Sequence, residues 1–222
     1  MPTPDYKRLF VSALAKNVDN PKWKEGDFVG IKTVSNTKVG CVGQNFIESL
    51  CDALSVPSSF PLREDNTRMT QSPWDIEIFG VKFELKTATE DVNGSFQFNH
   101  VRYHRPYDAL LCLGVTPNNL YFGAWTKADV VTGKAGNLVT MEKGANASYK
   151  LTKKPSNLHP IVDFEQKIKE FTTRFLVSEP PLTKEGNNVY KSLGIFYDSL
   201  HLYRRLQGRV GKVRRLSGGR LS

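Results

Sequence analysis

The chain has 222 residues, a length that suits one α/β domain burying roughly 70% of the surface its unfolded form exposes, so no disulfide or cofactor is needed to build a core. No stretch of ~18 or more apolar residues occurs, which predicts neither signal peptide nor membrane span, and three cysteines without CxxC spacing (Cys41, Cys51, Cys112) predict a reducing, cytoplasmic setting. With 31 Lys and Arg against 22 Asp and Glu, the net charge is +9 and the pI about 9.4, a balance that favours a polyanionic partner through counterion release.

In chain order, "DYKRLFVSALAKN" spaces Phe10, Ala13 and Leu14 for a first helix. A polar stretch over 17–40 follows, with short strands expected around Phe28 to Ile31. "GQNFIESLCDAL" (43–54) sets Phe46, Ile47, Leu50, Cys51 and Leu54 in a helical stripe, with Gly43 before it and Ser55-Val56-Pro57 closing it. A Pro-, Ser-, Arg- and Thr-containing loop covers 57–73. Two apolar-polar alternations then meet at Gly80 as a hairpin within "WDIEIFGVKFELKTA" (74–88). "SFQFNHVRYHRPYD" leads as a crossover into "ALLCLGV" (109–115), an apolar run of the kind buried on both faces in a central strand, and "NNLYFGAW" reads as its neighbour. "VDFEQKIKEFTTRFL" (162–176) is a second helix, with Phe164, Ile168, Phe171 and Phe175 near helical spacing. No internal repeat interrupts this order, so a single domain over 1–222 is expected, ending in a basic tail at about 201–222 that carries seven Lys or Arg and no acidic residue.

The charged side of the hairpin gathers Asp75 and Glu77 from one alternation and Lys82, Glu84 and Lys86 from the other. Alternation alone predicts a solvated sheet face, and Glu77 and Lys82 are read that way. Asp75, eight intervening residues and then Glu84-Leu85-Lys86, with a helix bearing Glu48 upstream and a buried strand downstream, resembles the PD-(D/E)XK nuclease superfamily, most of all its type II restriction endonucleases. The resemblance spans about residues 38 to 130. It departs from the family pattern before the aspartate, where Trp74 stands and Pro73 lies one place earlier.

The resemblance implies an α/β fold with a restriction-endonuclease-like core, a central mixed β-sheet flanked by helices. It also implies a Mg2+-dependent, sequence-specific endonuclease acting on double-stranded DNA. Asp75, Glu84 and the Leu85 carbonyl would be the metal ligands, and Lys86 would orient or deprotonate the attacking water. The residue chemistry agrees: phosphodiester hydrolysis needs an activated water and relief of phosphate charge, and a cation held by one or two carboxylates supplies both. Glu84 and Lys86, two apart on a strand, share a face, and a turn at Gly80 carries Asp75 toward Glu84. Glu48 is either a solvated helix charge or, as in related nucleases, a residue that helps bind a second metal or position water.

Gln97, Asn99, His100, Arg102, His104 and Arg105 follow the hairpin and include the types that read base edges or grip phosphates. Their other reading is the polar outer face of a crossover helix, and the two histidines have no Cys or acidic partner at zinc spacing. Arg63 and Arg68 in the 57–73 loop, and Arg204, Arg205 and Arg209 in the tail, are further DNA-binding candidates. A double-strand break in one encounter requires two sites, which predicts a twofold homodimer. Its candidate surfaces are the first helix around Phe10 and Leu14 and the aromatic segment 189–203, unless those aromatics pack on their own sheet. Two other functions fit the charge: a repair or recombination nicking nuclease of the same fold, acting as a monomer, and a basic DNA-binding module without catalysis.

Overall fold

Nine strands and three α-helices make up the computed structural model, which describes residues 21–69 and 72–178. They are α1 (Asn36–Ala53), β1 (Ser58–Ser59), β2 (Ile76–Ile78), β3 (Val81–Thr89), β4 (Phe96–Val101), β5 (Ala109–Val115), β6 (Leu120–Thr126), α2 (Lys127–Val131), β7 (Leu138–Glu142), β8 (Ser148–Lys153), β9 (His159–Pro160) and α3 (Phe164–Ser178). The fold is mixed α/β. A six-stranded sheet runs β1-β2-β3-β5-β6-β9, with β3 and β5 parallel and every other pair antiparallel. A second sheet, β4-β8-β7, is antiparallel.

Side-chain alternation along β3 and β5 assigns the layers. Val81, Phe83 and Leu85 of β3 and Ala109, Leu111 and Leu113 of β5 pack with Ile47 and Cys51 of α1 and Phe164, Ile168 and Phe171 of α3. On the opposite face Ala88, Leu110 and Cys112 pack with Phe96 and Phe98 of β4, Leu151 of β8 and Val130 of α2. The central sheet therefore has α1 and α3 on one side, and the small sheet with α2 on the other, three layers in all. All seven residues of β5 are buried, as its unbroken apolar run predicts. Each large apolar side chain so removed from water contributes about 1.5–3 kcal/mol before entropy is counted.

The structure corrects two sequence expectations and decides two alternatives that the sequence left open. Residues Val29–Thr33 form a 3-10 helix and not a strand: Phe28, Val29 and Ile31 all pack against the core, which one helical turn achieves and an alternating strand does not. Helix α1 begins at Asn36, seven residues earlier than expected, and Gly43 lies inside it. A Cβ at 43 would overlap the Thr87 side chain, so the glycine is there because the helix lies directly on β3. Strand β3 is not half-buried, since its neighbours on both faces cover its middle. The crossover between β3 and β5 is not helical but contains β4, so its polar positions sit on a strand.

Among the described residues no helix is long and apolar enough to cross a membrane. The expected first helix with Phe10 and Leu14, the aromatic segment 189–203, and the basic tail with Arg204, Arg205 and Arg209 lie outside the described residues.

Candidate active site

The β2-β3 hairpin turns through Phe79 and Gly80, whose φ angles of 49° and 80° are both positive, the signature of a tight turn matched to strand twist. Its register pairs Ile78 with Val81 and Ile76 with Phe83. Asp75 sits one step beyond, where its N–H donates to the Phe83 carbonyl at 2.8 Å. This places the Asp75 carboxylate over the β3 backbone, and Oδ2 accepts the Leu85 N–H at 2.7 Å. From α1, the Gln44 side-chain amide donates to the Asp75 carbonyl at 3.3 Å, tying helix to hairpin.

Glu84 and Lys86 share the face of β3 that the second sheet covers. Glu84 is 1% exposed. Its Oε1 accepts from Lys86 Nζ at 2.6 Å, while Oε2 is buried without a hydrogen bond, with Arg105 Nη1 3.8 Å away. Burial, and next the charge of Glu84, holds the Asp75 carboxyl above its ordinary range, against the opposing Leu85 N–H bond and the Lys86 and Arg105 charges. A carboxylate oxygen with no hydrogen bond in a buried site is costly. The Tyr107 hydroxyl is a second buried oxygen without a hydrogen bond, pushed up by burial and then by Glu84.

A cavity of about 320 Å³ opens beside this group, lined in part by Gln44, Asp75, Trp74, Arg68 and Arg105. Arg68 spans its rim. One nitrogen is 2.9 Å from Glu48 Oε2, and the guanidinium lies 4.1 Å over the Phe60 ring. Glu48, one helical turn beyond Gln44, is thus joined to the cavity rim through Arg68.

The other candidates scatter. Gln97 and Asn99 are exposed on β4, with the Gln97 amide donating to Asp91 at 2.9 Å. Arg102 lies 3.5 Å from Glu142 of β7, His104 is exposed, and Arg63 is exposed in the turn that its backbone closes with Thr67 and Asn66. Among the described DNA-binding candidates, Arg105 and Arg68 are the two that line the cavity. Sequence reasoning missed Gln44 and Tyr107: a glutamine on a helix and a tyrosine before a strand carry no motif, and only the tertiary fold brings them to the carboxylates.

Among the described residues no group of three or more His, Cys, Asp or Glu side chains forms a metal cluster. The oxygen donors on this face are the Asp75 and Glu84 carboxylates, and one Glu84 oxygen has no hydrogen bond although Lys86 and Arg105 lie close to that carboxylate. Carboxylate oxygens are the donor type that a hard divalent ion takes.

No family model and no curated protein matches the sequence. Among solved structures, the chain is similar to a bacterial homing endonuclease, I-Ssp6803I, at a TM-score of 0.35 and 12% identity, over 54% of this chain and 75% of that chain. A likeness of that size carries no argument about function.

Proposed function

We propose that this protein is a Mg2+-dependent DNA endonuclease of the PD-(D/E)XK type. The observation that carries the reading is the convergence of Asp75, Glu84, Lys86 and Arg105 beside a polar cavity, with one Glu84 oxygen left without a hydrogen bond. Asp75, Glu84 and the Leu85 carbonyl would hold Mg2+, which when bound supplies Lewis-acid activation of water and of the phosphate. Lys86, bonded to Glu84, would orient the attacking water and offset developing negative charge. Arg105, partly exposed at the cavity wall, would bind the phosphate undergoing attack. The water oxygen would add to phosphorus and give up a proton as the P–O bond to the leaving sugar oxygen breaks, and that oxygen would take up a proton in its place.

The finer reading is a type II restriction enzyme that cuts both strands within a short sequence, as a homodimer. What supports it is the spacing of Asp75, Glu84 and Lys86, which resembles that of such enzymes, and the net charge of +9. Incubation with plasmid DNA in Mg2+ tests the reading: discrete linear bands support it, a relaxed circle alone favours a nicking nuclease, and intact supercoil favours a DNA-binding module.

A further inference from the structure

We infer that the outward face of the β4-β8 pair enters the DNA major groove and reads sequence through Asn99, Lys150 and Thr152, while lysines at the ends of the small sheet grip the backbone. The inference deepens the endonuclease reading and rests on it for the position of the cut.

Charge is the first support. Residues 21–126 carry 10 Lys and Arg against 12 Asp and Glu, and residues 161–178 carry three of each. Residues 127–160, which form α2, β7, β8, β9 and their connections, carry six lysines against two carboxylates. The excess positive charge of the described residues therefore lies in this segment, and five of its six lysines stand on or beside the small sheet. Lys134 precedes β7, Lys143 follows it and Lys154 follows β8; because β7 and β8 run antiparallel, these exposed lysines mark both ends of the sheet. A cationic rim of this kind meets phosphates on either side of a groove.

The second support is the face between those rims. Phe96, Phe98 and Leu151 point into the core, so their neighbours point away. Gln97 is opposite Thr152, and Lys150 is opposite Val139 of β7. Asn99, one place beyond Phe98, joins them where the β4-β8 register shifts. Asn99 and Thr152 are exposed and Lys150 is half-buried. An amide, an ammonium and a hydroxyl with its methyl group suit adenine, guanine and thymine edges respectively, and the major groove accepts a two-stranded ribbon.

Third, the face is tethered to the candidate active site. Strand β4 ends at Val101, and Arg105, four residues on, lies 3.8 Å from Glu84. Asn99, the nearest reading residue, is six residues from Arg105 and so at most ~21 Å away, within one ~34 Å turn of B-DNA, so one duplex has the length to reach both.

The test uses the full chain and a pool of duplexes with a randomised centre, held in Ca2+, with the retained DNA sequenced and affinity measured across salt concentrations. The wild type should enrich a defined sequence by at least ~10-fold at each read position. Asn99→Ala/Lys150→Ala/Thr152→Ala should lose that enrichment while its salt slope falls by no more than about one. Lys134→Ala/Lys143→Ala/Lys154→Ala should keep the enriched sequence and lower the slope by about three. If the first variant melts early, Asn99→Asp, which preserves shape and adds a repelling charge, is read in the same way. An unchanged enrichment in the reading variants, no enrichment by the wild type, an unchanged slope in the rim variant, or equal competition by random RNA duplexes would overturn the inference. Transfer into Mg2+ separates the two claims: an enriched duplex bound but never cut removes the endonuclease and leaves the groove assignment, whereas identical cut sites from wild type and reading variants do the reverse.

Discussion

On the proposed reading, Asp75 is the residue at which function and stability oppose each other most directly. Its carboxyl is held above the ordinary range by burial and by Glu84, so between its unfolded and folded pKa the native state binds more protons than the unfolded one. The sign follows: metal-free protein should lose stability as pH rises through that window, and below it the contribution disappears. Asp75→Asn keeps an acceptor for the Leu85 N–H but removes the charge. It should flatten that pH dependence and raise the metal-free melting temperature by about 2–4 °C for each ~1 kcal/mol relieved, while abolishing Mg2+-dependent cleavage; calorimetry across pH reads the first and a nuclease assay the second. Tyr107 gives a related outcome. Its buried hydroxyl has no hydrogen bond, so Tyr107→Phe should hold or raise the metal-free melting temperature, because removing an unsatisfied buried oxygen removes its desolvation penalty of about 1–3 kcal/mol. A drop of several degrees would mean that the hydroxyl has a stabilising partner.

At the scale of elements, the contact of α1 with β3 is set by a glycine. In an exposed helix Gly→Ala stabilises by about 0.8–1 kcal/mol. Gly43→Ala should have the opposite sign, because its methyl group would overlap Thr87, and overpacking of this kind costs about 1–3 kcal/mol. Thermal melting measures it, and a rise in melting temperature would show that the helix can lift from the sheet. The same glycine shows where sequence reasoning stops. Read locally, Gly43 marks a helix boundary, and only the tertiary approach of α1 to Thr87 explains its place inside. What was legible rested on periodicity: Ile47 and Cys51 on one stripe, Phe164, Ile168 and Phe171 on another, and the unbroken run of β5. The hairpin was legible through Gly80, and the shared face of Glu84 and Lys86 through their spacing. The β4-β8-β7 sheet was not, because "LVTME" and "SYKLTK" are short, without an unbroken apolar run, and β8 pairs on its other side with β4, some fifty residues away. The approach of Arg105 to Glu84 was invisible for the same reason, since it depends on how that layer covers the central sheet.

At the scale of the molecule, the face of the central sheet that bears Glu84 and Lys86 is covered by the lysine-bearing small sheet. On the proposed reading one such site would cut one strand, and a double-strand break in a single encounter would need a second copy. Light scattering should therefore find a dimer on cognate duplex; a monomer that still makes double-strand breaks would point to sequential nicking. The most direct measurement of the central claim is cleavage of supercoiled plasmid by wild type and Lys86→Ala, each in Mg2+ and in chelator, with DNA affinity measured in parallel. The account predicts cutting by wild type in Mg2+ alone, and a loss of about 10²–10⁴-fold in rate for Lys86→Ala with affinity within a few-fold. Cleavage that persists in chelator, or a Lys86→Ala rate near that of wild type, would contradict it.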